Sequence, residues 1–223
     1  MDLTKETDKD AFLSRTVRVV EPEVSVQELP ILHSPGLGYL TFEDALRVAY
    51  LEGKAYSDNQ SLMQYLHNME NALIAKDINN TAKGRPNMSL KYTDESGKMR
   101  GYFLSYEGVL NDQNVAETNE GQRFSDQPVL YLLDLASDRE SPMTGGRLIN
   151  GFVDLYKRNY LDQGNLMPLF MQAREQTSFK IIQRQLQKIG QEVGMDFELI
   201  ELPTYTEGED TMHPVIIRPI VKK

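Results

Sequence analysis

The apolar positions in the second half of the chain predict a strand, a loop, a helix and a second strand. Two apolar runs, over residues 129–137 and 166–173, are bounded by turn residues, which is typical of strands buried on both faces. Between them lie a polar loop that closes on Gly145 and Gly146 and a segment, residues 148–156, whose apolar residues recur at helical spacing. Such a crossover places the free N–H groups of the helix at the carboxyl end of the first strand. We therefore expect an anionic group to bind there.

The first half of the chain predicts an edge strand, a loop and a helix. Residues 16–29 alternate β-branched and polar positions around a proline, as irregular edge strands do, and residues 30–38 predict a loop. Thr41 is a suitable N-cap, with Asp44 at the capping-box position. The helix that begins there is expected to stop at Gly53.

A second helix, a hairpin and a loop are expected next. Ser57 or Asp58 can cap a helix whose apolar residues are spaced three and four apart. Residues 88–93 and 99–110 predict two strands, and the sequence DESGK between them predicts a tight turn. Residues 111–127 are polar and show no periodicity, so they predict a long loop.

The C-terminal part of the chain predicts a helix and a hairpin. The helix covers residues 178–193 and ends at Gly194. Residues 195–202 and 215–221 predict two strands joined by TYTEGEDTMH, a hairpin with a long tip. The complete order is β, α, α, β, β, β, α, β, α, β, β, which indicates an α/β (α+β) fold class.

Composition narrows the classes of function. The 223 residues, 40% hydrophobic and 26% charged, suit one globular domain, which we place at residues 16–223 after an N-terminal extension over residues 1–15. The chain has no cysteine, which excludes a disulfide, a thiolate zinc site and a cysteine nucleophile. Its three histidines are too scattered to indicate a metal site.

Charge and hydropathy disfavour two kinds of partner. The net charge of -9 disfavours binding to nucleic acid. No apolar run approaches the roughly 18 to 20 residues that cross a bilayer, and the start MDLTKETDKD is charged rather than a signal peptide. We therefore expect a cytoplasmic protein without a membrane partner, and the sequence leaves the oligomeric state open.

Two short motifs lie on either side of the polar loop. The strand ends in DLAS, residues 134–137, and Ser141, Thr144 and Gly146 follow at the spacing Gln/Arg-x-x-Gly-x-Gly/Ala, with Thr144 in place of the first glycine. Together with the element order, these motifs resemble the GCN5-related N-acetyltransferase (GNAT) family, whose members bind acetyl-CoA and acylate amines. The resemblance covers the chain from residue 16 to its C-terminus.

The resemblance implies a GNAT-like three-layer fold, with a central mixed, mostly antiparallel sheet and helices on both faces. It also implies acetyl-CoA, or another acyl-CoA, as the cofactor, held by backbone amides of the strand end and the loop. Arg147 is either a phosphate ligand or a solvated surface charge. The residues that the resemblance assigns to the cofactor site are Leu135, Ala136, Ser137, Thr144, Gly145, Gly146, Arg147, Leu148 and Ser178.

A second family motif, Asn-x-x-Ala-x-x-Leu-Tyr, opens the helix after the next strand. This sequence has Glu175, Ser178, Ile181 and Ile182 at those positions. The small Ser178 and the apolar Ile181 agree with the motif, but the tyrosine often proposed as the general acid is Ile182 here. Transfer remains feasible because a CoA thiolate is a tolerable leaving group and positioning can supply most of the catalysis.

Acyl transfer to an amine needs a base for the amine and donors for the thioester oxygen. Asp134, Glu107 and Tyr131 are the candidate catalytic residues, and a backbone N–H within residues 135–137 is the candidate donor. Side chains alternate along a strand, so Asp134 is expected on the face opposite Tyr131. The structural alternatives are that Asp134 pairs with a loop amide or a basic side chain and that Glu107 faces water.

Three hypotheses for the function follow. The first is an acyl-CoA-dependent N-acyltransferase that moves an acyl group, in the simplest case acetyl, directly to an amine on a small molecule or a peptide. The second is a catalytically inactive GNAT-like binding or regulatory module, which the missing loop glycine and Ile182 favour. The third is a different nucleotide-binding protein that uses Gly145 and Gly146, but the sequence lacks Gly-x-Gly-x-x-Gly and Gly-x-x-x-x-Gly-Lys-Ser/Thr.

Overall fold

The computed structural model describes most of the chain beyond its N-terminal region. The residues described are 32, 34–56, 87–110, 122–124, 127–138, 140–141, 143–173, 177–207 and 210–222. The predicted first strand, the N-terminal extension, the second helix and nearly all of the loop over residues 111–127 lie outside them. The single domain over residues 16–223 therefore stays a prediction.

Eight strands and three α-helices form the described part of the chain. They are, in chain order, β1 (Leu37–Tyr39), α1 (Ala45–Tyr56), β2 (Leu90–Thr93), β3 (Met99–Val109), β4 (Pro128–Ser137), α2 (Thr144–Asn159), β5 (Leu169–Ala173), α3 (Thr177–Val193), β6 (Met195–Glu201), β7 (Tyr205–Glu207) and β8 (Asp210–Val221).

One mixed, mostly antiparallel sheet holds these strands together. Its order is β1-β2-β3-β4-β5-β8-β6, and β7 pairs with β8 outside this path. The pair β4 and β5 is parallel, and the other neighbours in the described sheet are antiparallel. A parallel pair needs a long crossover, and α2 supplies it.

Helices cover both faces of the sheet. On one face α1 buries Val48 and Ala49 against Tyr102 and Leu104 of β3. On the other face α2 and α3 share a core with the strands, and alternation along β3 explains the division, because Phe103 points to that second core. The expected α/β class, with helices on both faces of a mixed, mostly antiparallel sheet, is confirmed.

The start of α1 agrees with the sequence prediction, and its end does not. Thr41 and Asp44 form the predicted capping box, and Lys91 binds the Asp44 carboxylate at 2.7 Å. A 3-10 turn leads into α1, which continues through Gly53 to Tyr56. The expected stop at Gly53 is therefore wrong, because one glycine costs a helix only about 1 kcal/mol and favourable helix residues follow it.

The remaining described elements follow their predicted ranges with small shifts at the ends. Gly97 has the positive φ of 80° that the turn between β2 and β3 needs, and Gly194 ends α3 with a φ of 71°. The predicted loop over residues 30–38 is shorter, because β1 begins at Leu37. The C-terminal hairpin is longer than expected, since β7 and the first residues of β8 pair within the predicted tip.

Candidate functional site

The parallel strands β4 and β5 separate before β4 ends. Within the described residues they pair at three positions, from Leu130 with Leu169 to Leu132 with Met171. β4 continues for five residues beyond this pairing, to Ser137. We call the resulting opening the slot; it lies between β4 residues 133–137 and the last two residues of β5, Gln172 and Ala173. Along residues 133–137, β4 has no strand partner on the β5 side within the described part of the chain.

A β-bulge sets which side chains of β4 lie beside the slot. Asp134 is opposite Leu104 of β3 and Leu132 is opposite Ser105, so Leu133 is an extra residue without a partner on β3. A bulge of this kind reverses the alternation of side chains that follow it.

The consequence concerns two of the predicted catalytic residues. Tyr131 stacks on Tyr106, and Asp134 accepts a hydrogen bond from the hydroxyl of Tyr102, four residues before Tyr106 on the same strand. Residues four apart on a strand share a face. Asp134 and Tyr131 therefore lie on the same face, and the expectation that they lie on opposite faces is wrong because it assumed an unbulged strand.

Every second backbone N–H group of β4 beyond the bulge points toward the slot. The N–H of Asp138 donates to the carbonyl of Arg100 on β3 at 2.7 Å. Successive amides of a strand point to opposite edges, so the N–H groups of Leu135 and Ser137 point away from β3 and toward the slot. An N–H group that points in this direction is the kind of donor that acyl transfer needs near a thioester oxygen.

The first turn of α2 faces the same end of the sheet. The helix begins at Thr144, so Gly145 and Gly146 belong to its first turn and not to the loop that the sequence predicted. The positive φ of the turn, 71°, is adopted by Met143. Thr144 is helical with a negative φ, so a residue with a Cβ fits where the family motif has its first glycine.

Two N–H groups in the first turn of α2, those of Gly145 and Gly146, have no hydrogen-bond acceptor among the described residues. Within the described residues, the N–H of Thr144 donates to Ser141 and that of Arg147 donates to Met143. The N–H groups of Gly145 and Gly146 remain at the positive end of the helix dipole. A Cβ on Gly146 would meet no described atom within 4 Å, and one on Gly145 would meet only the Ser137 hydroxyl, at 3.8 Å. A bulky anion therefore has space to approach this backbone.

Gly101 of β3 fixes the position of the α2 N-terminus. A Cβ there would lie 2.6 Å from the Thr144 methyl group and 2.9 Å from the carbonyl of Ala136. Thr144 is 1% exposed, and Leu148 packs one turn further on with no exposed surface. The first turn of α2 is thus held tightly against β3, beside the end of β4.

A buried carboxylate, which the sequence interpretation missed, anchors the loop between β4 and α2. Asp138 is 3% exposed; it accepts hydrogen bonds from Lys54 of α1 at 3.0 Å and from Arg100 of β3 at 3.2 Å. The N–H of Glu140 also donates to it, at 3.2 Å. The Glu140 amide, the Lys54 ammonium and the Arg100 guanidinium together lower the pKa of Asp138 to about 2.

Three other residues predicted to bind the cofactor, Arg147, Ala136 and Ser178, lie in different environments. Arg147 lies over the ring of Tyr92, with its guanidinium carbon 5.0 Å from the ring centroid, and donates to the Tyr92 hydroxyl. Its side chain is exposed and contacts Tyr92, and its role as a phosphate ligand stays a prediction. Ala136 is buried against the α1 side of the sheet. Ser178 lies in α3, and its side chain is outside what the structure describes.

Glu107 and Tyr131 lie away from the slot. Glu107 is 8% exposed and accepts a hydrogen bond from Tyr160 at 3.4 Å, so the alternative that it faces water is wrong. It lies opposite Leu130, beyond the bulge from Asp134, on the α2 side of the sheet. The Tyr131 hydroxyl donates to the carbonyl of Val109 at 2.9 Å, and its ring packs edge-on against Phe170. Of the three predicted catalytic side chains, Asp134 is therefore the one that the structure places beside the slot.

Ile182, which stands at the position of the family tyrosine, is a core residue. It is 1% exposed and belongs to the apolar cluster that α2 and α3 form with the sheet. A phenol acid from this helical position is absent from the chain. In this chain, the position that holds the tyrosine in the second family motif is therefore a packing position in the core.

Comparisons with known proteins give the following matches. No family model matches the sequence, and no curated protein matches it. Solved structures with a similar chain path include histone acetyltransferase HPA2 and related acetyltransferase from Corynebacterium glutamicum (14% identity, TM-score 0.48, 85% of this chain and 98% of that chain). Others are arylalkylamine N-acetyltransferase 2 from Aedes aegypti (11%, TM-score 0.48, 83% and 98%) and Naa20 from Chaetomium thermophilum with a bisubstrate analogue (13%, TM-score 0.41, 81% and 84%).

Two of these three structures are named as acetyltransferases, and all three have low sequence identity to this chain. Their TM-scores lie below 0.5. We therefore infer the chemistry of this site from the residues of this chain and not from these neighbours.

Two further observations concern membrane-spanning helices and metal sites. None of the helices in the described ranges is long and apolar enough to span a membrane. Within the same residues, no three His, Asp or Glu side chains are grouped so that they could hold a metal ion.

Proposed function

We propose that this protein is an acyl-CoA-dependent N-acyltransferase. The observation that carries the proposal is the separation of β4 and β5 after Leu132 and Met171, directly in front of the α2 N-terminus. An open strand edge and a helix N-terminus meet there, and each supplies N–H donors.

Coenzyme A has the chemistry that these donors suit. Its pyrophosphate is an anion, for which the N–H groups of Gly145 and Gly146 and the helix dipole are favourable partners. Its pantetheine arm carries amides, which can pair with the edge of β4 that faces the slot, at Ser137. The absence of a Cβ at both glycines leaves space for the phosphate oxygens.

When bound, an acyl-CoA would supply a thioester whose acyl group passes to an amine: the C–N bond forms, the C–S bond breaks, and sulfur leaves as a thiol after taking up a proton. The edge N–H groups of β4 stabilise negative charge on the acyl oxygen. Asp134 is the candidate base, because its half-buried carboxylate lies beside the slot. The core position of Ile182 means that the leaving sulfur takes its proton from water or from another group.

The acceptor is an amine of a small molecule or a peptide. An acidic protein, with a net charge of -9, attracts a cationic amine through its overall field. The acyl group in the proposal is acetyl in the simplest case. The cytoplasmic location stays a prediction.

The second candidate function is a CoA-binding module without catalysis. The specific observation that favours it is Ile182, which is buried where the family places a phenol. Both candidates predict CoA binding, and only the first predicts release of a thiol.

Thermal unfolding with and without acetyl-CoA tests both candidates. Binding at a hundred times the dissociation constant adds about 2.7 kcal/mol to the free energy of unfolding. We expect the stabilisation to be lost in Gly146→Asp, which places a negative charge and a Cβ at the anion site. The control is Asn150→Asp, which adds the same charge at an exposed position one turn further along α2.

Thiol release with a panel of amines then separates the two candidates. Stabilisation with thiol release supports the transferase, and stabilisation without release supports the binding module. No stabilisation of the wild-type protein by millimolar acetyl-CoA would contradict both.

A further inference from the structure

A small cavity lies between the first turns of α3 and the strands β6 and β8. Its volume is about 120 Å³. Lys180 and Gln183 form its α3 side; they are three residues apart and therefore share one face of the helix. An engineered protein cavity of about 150 Å³ holds benzene, so a ligand portion of about six non-hydrogen atoms fits inside this one.

The cavity is separate from the slot. The slot lies between β4 and β5, whereas the cavity lies over β8 and β6, on the other side of β5. Leu199 of β6 and Val215 of β8 line it, and both belong to the core that α2 and α3 cover. A ligand in the cavity therefore occupies neither the slot nor the N-terminus of α2.

Two polar side chains of the strands face the cavity from neighbouring positions. Glu201 is directly opposite Val215, and His213 lies two residues before Val215, so all three share one face of the sheet. Glu201 and His213 are thus diagonal neighbours, about 7 to 8 Å apart. Within the described part of the chain, neither side chain has a hydrogen bond or an ion pair. They border an open space and do not close it by pairing with each other.

Lys180 places a positive charge on the other side of this space. The Gln183 amide and the Thr204 hydroxyl also line the cavity. Among the described residues, the side chains of Lys180, Gln183 and Thr204 have no hydrogen-bond or ion-pair partner. The cavity therefore presents one cation and one carboxylate, each of which is available to a ligand. A simple anion would be repelled by Glu201, and a simple cation would be repelled by Lys180.

The rest of the lining is hydrophobic. We call this part the apolar wall; it consists of Leu199, Leu202, Pro214 and Val215. Leu202 is 5% exposed and Val215 is 2% exposed, so the wall is fixed by the core behind it. A ligand that matches the whole cavity carries a negative group, a positive group and a short aliphatic group close together.

We propose that the cavity is a binding site for a free aliphatic α-amino acid, a ligand that the proposed function does not include. The carboxylate of the amino acid accepts hydrogen bonds from Lys180 and His213, and its ammonium group donates to Glu201. Its side chain packs on the apolar wall. This site uses neither CoA nor the slot, so it can be tested independently of acyl transfer.

The test measures binding by calorimetry without CoA, with L-valine as the probe. L-Valinamide lacks the carboxylate and N-acetyl-L-valine lacks the ammonium group; they also stand for the first and the last residue of a peptide. We expect each to bind at least about 10-fold more weakly than L-valine, because each loses hydrogen bonds between charged groups. L-Alanine should bind about 4-fold more weakly for each missing carbon that packs on the apolar wall.

Variants test which side chains hold the ligand. Lys180→Met keeps the aliphatic stem and removes the charge, and Glu201→Gln keeps the shape of the carboxylate. Both side chains are exposed, so Tm without ligand should stay that of the wild type. Each substitution should weaken L-valine binding at least about 10-fold. The controls are Lys188→Met and Glu192→Gln, the same changes at exposed positions of α3 outside the cavity, and they should leave the affinity unchanged.

Three results would overturn the proposal. They are the absence of L-valine binding at millimolar concentration, equal affinities for L-valine and N-acetyl-L-valine, and a wild-type affinity in both Lys180→Met and Glu201→Gln. Failure of the proposed function has a different signature. A wild-type protein that binds L-valine and is not stabilised by acetyl-CoA would contradict the proposed function alone and would support the amino-acid site.

Discussion

The guanidinium of Arg100 donates a hydrogen bond to the carboxylate of Asp138 at 3.2 Å and thereby ties the beginning of β3 to the end of β4. Lys54 of α1 binds the other oxygen of the same carboxylate. Three elements from distant parts of the sequence therefore meet at the residue that starts the loop into α2. The geometry of the proposed anion site depends on this contact.

Substitution of Asp138 by Asn should loosen the loop before α2. The amide keeps the shape of the carboxylate and loses its charge, so the partly exposed Lys54 and Arg100 both lose their buried anionic partner. We expect a loss of about 1 to 3 kcal/mol in the free energy of unfolding, together with weaker CoA binding. Chemical denaturation and calorimetry measure the two effects. The control is Glu140→Gln in the same loop, whose side chain is 70% exposed and whose loss should change stability little. Equal effects of the two substitutions would contradict the anchoring role.

The same carboxylate predicts how stability changes in acid. The pKa of Asp138 is about 2 in the folded protein and about 3.9 in an unfolded chain. A lowered pKa means that the stabilisation is fully present above the unfolded value and is lost as the pH falls through the folded value. The difference in the free energy of unfolding between wild type and Asp138→Asn should therefore shrink as the pH falls from about 4 to about 2, the range between the two pKa values.

A second carboxylate, Asp94, also contributes to the loss of stability in acid. Ser96 and Arg100 lower the pKa of Asp94, so wild-type protein loses stability in acid through that group too. Asp94 is present in both proteins, so its contribution cancels in the difference except for the part that passes through Arg100, which pairs with both carboxylates. A difference that stays constant from pH 6 to pH 2 would show that Asp138 is not stabilised as a carboxylate.

Gly101 should not tolerate a methyl group. Gly101→Ala places a Cβ against the Thr144 methyl and the Ala136 carbonyl, and a backbone carbonyl cannot move away without shifting β4. We expect a loss of about 1 to 3 kcal/mol, as overpacking causes, with weaker CoA binding because the α2 N-terminus shifts. The control is Gly38→Ala in β1, where the new Cβ meets Lys91 carbons at 3.5 Å and 3.7 Å, an ordinary contact. Urea unfolding of both variants makes the comparison, and equal stabilities would contradict the close packing.

Most of the fold could be predicted because hydrophobic periodicity is a local signal. The helix α3 and the strands β3 and β4 were predicted to within two residues of their bounds, since each has a strong period and a clear terminator such as Gly194. The end of α1 was wrong because a single glycine is a weak terminator.

The details of the site were less predictable, because they depend on partners distant in sequence. The bulge at Leu133 exists only in the register between β3 and β4, and the apolar run of β4 has no local sign of it. Asp138 is one acidic residue in a polar loop, and its partners Lys54 and Arg100 precede it by 84 and 38 residues. The anchor of the loop and the orientation of Asp134 could therefore be recognised only after the sheet was assembled.

The buried position of Glu107 predicts a structural role. Its carboxylate is on the α2 side of the sheet and accepts from Tyr160, whose ring packs against Tyr156 at 5.6 Å between centroids. Glu107→Gln removes a charge-assisted hydrogen bond from the core and leaves the slot untouched. We expect the free energy of unfolding to fall by about 1 kcal/mol, while kcat and the CoA affinity remain those of the wild type. Steady-state kinetics beside thermal unfolding checks both parts. A fall in kcat without a fall in Tm would instead return Glu107 to the catalytic residues and would require the slot to extend to the other side of the sheet.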